Sequence, residues 1–231
     1  MAELAWLGVV RHGESIANAA ADVAEAAGLE VIDIAERDAD VPLSPTGEAQ
    51  GRALGDLVPE LRPDLVLSSP YRRAVQTASL AVDGTLPIRL DERLRDRELG
   101  ILDLLTRHGV AARYPQEAAR RARLGAFYYR PPGGEAWTDI ALRLRAVLRD
   151  LREGYPDGRV LLVAHEAVVL LLRYLIEDLT EDDVLQLAAA RLHNASLTSW
   201  VRDGDRLCLA TFNDTAHISG AGVEVTRQAH A

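Results

Sequence analysis

The sequence predicts an α/β fold built on a largely parallel sheet, and three observations carry that prediction. Strand-like and helix-like segments alternate along the chain, as crossovers between parallel strands require. The 231 residues are 48% hydrophobic, which supplies one sizeable core and argues for a single domain. The strand-like runs are short and rich in Leu and Val, the composition of buried strands.

Residues 4–10 form the first run, and Arg11-His12-Gly13-Glu14-Ser15 stands where it stops. An Ala-rich helix follows over 15–27, then an acidic, irregular loop over 30–42 that is expected beside the site. Leu43-Ser44-Pro45-Thr46-Gly47-Glu48 has the form of a helix start. Ser44 is the N-cap, Pro45 takes the first helical position and Glu48 adds acid to the first turn. A second strand is predicted over 64–68, a helix over 71–81 and a third strand over 86–90. Residues 93–105 are highly charged, and 109–125 read as helix interrupted near Tyr114-Pro115. Pro and Gly make 128–135 a loop before a helix over 136–153 with apolar residues at helical spacing. The strand over 160–164 ends at His165-Glu166. Helices over 167–176 and 180–189 follow, then a hairpin of 196–201 and 206–212 across Asp203-Gly204. Residues 220–231 have little to bury and predict a mobile tail.

Composition narrows the chemistry. The formal charge of −9 disfavours broad contact with nucleic acid or anionic membrane, and no apolar run approaches the length of a membrane span. No basic segment precedes an apolar core at the N-terminus, so no secretion signal is expected. The single cysteine, Cys208, excludes an internal disulfide and fits the cytoplasm. It is expected to be a buried, inert thiol. All 26 cationic side chains are Arg, which removes any lysine nucleophile or base and suits bidentate recognition of phosphate.

Three strands end in this chemistry: the first at Arg11-His12, the second before Tyr71-Arg72-Arg73, and the strand over 160–164 at His165. Ligands bind at the carboxyl ends of strands in open α/β sheets. A helix N-terminus beside Gly13 adds backbone N–H groups that favour an anion. Of the two arginines, only one is expected to face the ligand, because they occupy adjacent helix faces.

At this point a family resemblance adds to the reading. Arg11-His12-Gly13-Glu14-Ser15 is followed by Asn18, and Leu43-Ser44 by Gly47 and Gln50. Ser68-Ser69-Pro70-Tyr71-Arg72-Arg73-Ala74 is followed by Gln76-Thr77-Ala78, and Val163-Ala164-His165 completes the series. In this order the motifs resemble the histidine phosphatase superfamily, also called phosphoglycerate mutase-like, over roughly residues 6 to 200. Two further stretches, Tyr129-Arg130-Pro131-Pro132-Gly133-Gly134-Glu135 and Ala164-His165-Glu166-Ala167-Val168, resemble its fructose-2,6-bisphosphatase branch. That branch tends to have Gln where this chain has Glu166. An acid there repels a second phosphate, so the branch's substrate does not follow.

The resemblance implies a three-layer α/β/α sandwich with a mostly parallel central sheet. It also implies a single domain over 1–219, with a small helical cap inserted over roughly 91–132. It makes His12 the nucleophile and phosphohistidine, surrounds the transferring group with Arg11, Arg73 and His165, and gives Asn18 a hydrogen bond to it. The family's proton donor is often Glu in a Leu-x-Glu motif. Here Leu94-Arg95-Asp96 places Asp96 in that position, with Glu98 as the alternative. Ser15, Ser44, Tyr129, Arg130 and Glu166 are candidates to line the substrate mouth, although Tyr128 and Tyr129 read equally as packing aromatics. His108, His193, His217 and His230 match no motif and read as structural or solvated. His12, Asp96 and His165 have the chemistry to ligate zinc, but the flanking arginines would repel a cation, and no metal or other cofactor is expected.

The function implied is hydrolysis of phosphomonoesters of small metabolites through phosphohistidine. The alternatives are a cofactor-dependent phosphoglycerate mutase and a non-catalytic phosphate-binding regulatory protein on the same fold. Neither nucleic acid nor membrane is an expected partner.

Overall fold

The computed structural model describes residues 3–227. In chain order, β1 (Trp6–Arg11) leads to α1 (Ile16–Ala26) and α2 (Pro45–Leu61), then β2 (Leu65–Ser68), α3 (Arg72–Val82) and β3 (Ile88–Leu90). The chain then leaves the sheet for α4 (Arg107–Arg113) and α5 (Pro115–Leu124) and returns through α6 (Trp137–Gly154) to β4 (Arg159–Ala164). It finishes with α7 (Glu166–Ile176), α8 (Glu181–Ala190), β5 (Leu197–Asp203), β6 (Arg206–Asp214) and the short α9 (Ala216–Gly220).

The six-stranded sheet has the order β3-β2-β4-β1-β5-β6. From β3 to β1 every neighbouring pair is parallel, and β5 runs antiparallel between β1 and β6. Successive side chains of β1 point to opposite faces. Leu7 and Val9 join the larger core against α6 and α7, whereas Trp6 and Val10 join the core made with α2 and α3. Helices therefore cover both faces of the sheet. Among the described residues no helix is long and apolar enough to cross a membrane.

Local chemistry sets the helix starts. Ser15 caps α1 in a reciprocal pair with Asn18, and Thr180 caps α8 in the same way with Asp183. Ser44 accepts from Gly47 N–H at 3.0 Å, and Pro45 opens α2. The break between α4 and α5 falls at Tyr114, whose extended φ of −132° suits the residue before Pro115.

Two expectations meet a different arrangement, and one short helix falls where none is expected. Cys208 is exposed, not buried, because β6 is an edge strand and the neighbouring Leu207 takes the inward position. The five-residue α9 is too short to show helical periodicity, yet it buries Ile218. The described part of the C-terminal stretch hydrogen-bonds to the body: Gln50 Nε2 donates to Glu224 O at 2.9 Å, and Asn194 N–H donates to Thr226 O at 2.9 Å. Residues 228–231, with His230, lie outside the described residues.

The turn after β1 lies directly on the start of α2. A methyl group added at Gly47 would stand 1.9 Å from Glu14 O, and one at Gly13 would stand 2.5 Å from Gly47 O. Only glycine permits this backbone approach. Gly47→Ala is expected to destabilise the protein by about 2–3 kcal/mol, a fall in Tm of roughly 5–10 °C. Calorimetry checks this, and an unchanged Tm would show that the two segments separate freely.

Candidate active site

The carboxyl ends of β1, β2 and β4 are bound to one another at the same level. His12 N–H donates to Ala164 O at 2.8 Å, and Ser69 N–H donates to Val163 O at 2.9 Å. The imidazoles of His12 and His165 thereby face each other with ring centroids 5.1 Å apart, and both are buried.

His12 Nδ1 lies 2.7 Å from Gly13 O. A carbonyl only accepts, so Nδ1 carries the proton and Nε2 carries the lone pair. Burial pushes the His12 pKa well below its ordinary 6.5, and Arg73, His165 and Arg11 push the same way. His165 Nε2 lies 2.8 Å from Ser69 Oγ, and its Nδ1 lies 3.2 Å from Asp96 Oδ2. Burial lowers the His165 pKa too, against the upward pull of Asp96.

Two arginines complete the pocket. Arg73, buried on α3, donates to Asp38 O at 2.7 Å, to Asp38 Oδ1 at 2.8 Å and to Asp96 Oδ2 at 3.0 Å. Arg11 donates to Leu192 O and pairs with Glu166 Oε2 at 3.1 Å. Burial alone would raise Asp96. The His165 imidazole and the Arg73 guanidinium outweigh it and hold the carboxyl well below its ordinary range. Burial raises Asp38 against the pull of Arg73, and Asp96 adds to the rise. The cationic pocket therefore holds two carboxylates of its own.

The structure brings Arg11, His12, Arg73, Asp96 and His165 together, with Glu166 beside Arg11. Arg73 is buried and Arg72 exposed, so one of the pair faces inward, as the helix geometry predicts. Asp96 meets the histidines, while Glu98 accepts from Tyr71 OH at 2.6 Å. Asn18 Oδ1 accepts from Ser15 N–H at 3.0 Å and from Asn194 Nδ2 at 3.3 Å, so its oxygen serves the loop.

Four candidates for the mouth are engaged elsewhere. Ser15 Oγ accepts from Asn18 N–H, and Ser44 Oγ caps α2 while donating to Glu14 Oε1 at 2.6 Å. Tyr129 is buried and donates to Glu117 Oε2 at 2.9 Å, and Arg130 pairs with Asp139 on an exposed face. Residue patterns missed Asp38, Ser69 and Asn194. Ser69 carried a usable signal, its place at a strand end, but nothing distinguished Asp38 within its acidic loop. Ligand-capable atoms of His12, Asp96 and His165 lie within 4.8 Å of one another, but a cation among them would confront the Arg73 guanidinium on Asp96.

Comparison with known proteins follows this geometry. The family described as "Histidine phosphatase superfamily (branch 1)" matches residues 7–215. The chain is 28% identical over 182 residues to "Uncharacterized phosphatase PhoE" of Bacillus subtilis (strain 168), covering 78% of this chain and 86% of that one. It is 30% identical over 190 residues to "2,3-bisphosphoglycerate-dependent phosphoglycerate mutase 2" of Gloeobacter violaceus, covering 78% and 80%. A solved structure of a mycobacterial glucosyl-3-phosphoglycerate phosphatase with inorganic phosphate superposes with a TM-score of 0.72 at 27% identity. It covers 92% of this chain and 98% of the other. Strand order, converging strand ends and family match agree, and the chain belongs to the histidine phosphatase superfamily, branch 1.

Proposed function

We propose that this protein is a phosphoric monoester hydrolase that acts on a small phosphorylated metabolite through phosphohistidine at His12. The observation that carries the reading is the bond from His12 Nδ1 to Gly13 O, which leaves Nε2 as the nucleophilic atom between two arginines and a second imidazole. Nε2 attacks phosphorus, the P–O ester bond breaks, and the leaving oxygen takes a proton from Asp96. Water then attacks the phosphohistidine, gives its proton to the Asp96 carboxylate, and the P–N bond breaks to restore neutral His12.

Arg11, Arg73 and His165 stabilise charge on the phosphoryl oxygens, where a single fixed donor is worth roughly 3–4 kcal/mol. These groups supply what a divalent cation supplies elsewhere, so the reaction as written needs no metal. Asp96 is ionised in the pocket described here. Substrate phosphate draws Arg73 away and adds like charge, and both effects raise the carboxyl towards the protonated form that donation requires. The acids Asp38 and Glu166 work against the second phosphate that a mutase must hold, which favours hydrolysis of a monophosphate. The excursion from 91 to 132 serves as the cap over this pocket, with Asp96 near its start. The single cysteine is consistent with action in the cytoplasm.

Phosphate release from a panel of phosphorylated sugars, glycerates and nucleotides, without added metal, tests the reading. His12→Ala is expected to lose about 10³-fold or more of that activity and all acid-labile phosphate on the protein. Retained labelling would sink the assignment. Asp96→Asn is expected to cost about 10²–10⁴-fold on alkyl phosphates but far less on p-nitrophenyl phosphate, whose leaving group needs no proton. Equal losses on both would remove Asp96 as the acid. Because the His12 pKa is lowered, the imidazole stays neutral on acidification beyond its ordinary range. The acid limb of kcat/KM set by His12 is therefore expected below pH 6.5 in a pH–rate profile.

A further inference from the structure

The C-terminal segment reaches the His12 loop through two buried amides. Gln50, 0% exposed on α2, accepts at Oε1 from Glu14 N–H at 2.9 Å. Its Nε2 donates to Glu224 O and to Thr226 Oγ1, each at 2.9 Å. The Thr226 hydroxyl donates in turn to Oδ1 of Asn194, also 0% exposed, at 3.2 Å. Asn194 Nδ2 lies 3.4 Å from His12 O. The family match ends at residue 215, so the segment that holds these amides lies outside it.

The direction of each bond follows from the chemistry. The Thr226 hydroxyl has one proton, which goes to Asn194, so it can only accept from Gln50. Glu224 O is a carbonyl and also accepts. Both groups at that end demand the NH₂ of Gln50, which turns Oε1 towards Glu14. Glu14 N–H and Gly13 C=O are two ends of one rigid peptide unit. Gly13 C=O is the acceptor that fixes the proton on His12 Nδ1.

We propose that Glu224 and Thr226 are positioning residues. They set the amide of Gln50, which fixes the plane of the Gly13–Glu14 peptide and, through it, the tautomer and aim of the His12 ring. The proposal rests on the reading of His12 as nucleophile. A role confined to stability would change Tm and leave the chemical step of the folded protein unaltered.

The test uses full-length Thr226→Val, Thr226→Ser, Gln50→Leu and the Gln50→Leu/Thr226→Val double variant. The probe is p-nitrophenyl phosphate, assayed well below each Tm. Thr226→Val is expected to lower kcat about 3- to 10-fold with KM nearly unchanged, since misaimed reacting groups lose rate more than binding. Thr226→Ser restores it. In the double variant the loss equals that of Gln50→Leu alone, because both act through one amide. The ¹⁵N shifts of His12 report the tautomer without turnover: Nδ1–H alone in the wild type, and a mixture in Thr226→Val. Unchanged kcat with an unchanged tautomer, or losses that multiply in the double variant, would overturn the proposal. Full activity in His12→Ala would instead overturn the nucleophile, while the ¹⁵N readout would still report on the amide relay.

Discussion

The hydrogen bond from His12 Nδ1 to its neighbour's carbonyl is the constraint on which the rest of the site depends. It is a contact between adjacent residues, so it holds only if the chain between them is immobile. Every nearby backbone group is accordingly tied. His12 N–H goes to Ala164 O, Gly13 N–H to Thr77 Oγ1, Glu14 N–H to Gln50, and Ser15 N–H to Asn18. Glu14 O accepts from Ser44 N–H at 2.9 Å, which binds the same turn to the start of α2. The close approach of Gly13 and Gly47 is the packing side of this arrangement, since any side chain there would push the turn out of reach of its partners.

A second constraint is electrostatic. Guanidinium and imidazole groups buried together repel one another and lose hydration, which is costly unless opposite charge lies nearby. Asp38 and Asp96 provide it at Arg73, and Glu166 provides it at Arg11. The same repulsion and burial keep His12 neutral, the state in which it has a lone pair to offer.

Much of this was legible in the residue pattern, for physical reasons that differ by element. β1, β2 and β4 announce themselves because they are buried on both faces, and helices because Ser44 and Thr180 are N-caps that act locally. The cationic strand ends were visible because parallel topology places them on one edge of the sheet. Ser15 and Ser44 are ambiguous in a residue pattern because a hydroxyl that can meet a ligand can equally close a helix N-terminus, and here each does so. Tyr129 and Arg130 take partners, Glu117 and Asp139, in nearby segments whose folding the pattern does not specify, and the burial of Tyr129 agrees with the packing role its residue type equally allows. The described C-terminal stretch eluded hydropathy because polar atoms, with few apolar side chains, hold it in place. Asp38 was indistinguishable from the other acids of its loop until Arg73 was placed opposite it.

On the proposed function, the two carboxylates on Arg73 would make phosphate entry an exchange of anions instead of the filling of a bare positive hole. An incoming phosphate must win the guanidinium from groups tethered to the protein, whose local concentration never falls. Net affinity is then a difference between two similar attractions and stays modest even though each attraction is strong. On the same proposal, these tethered anions would reclaim Arg73 as inorganic phosphate loosens and so shorten the residence of product. An acidic residue inside an anion site thus works as a built-in competitor, exchanging tightness of binding for speed of clearance.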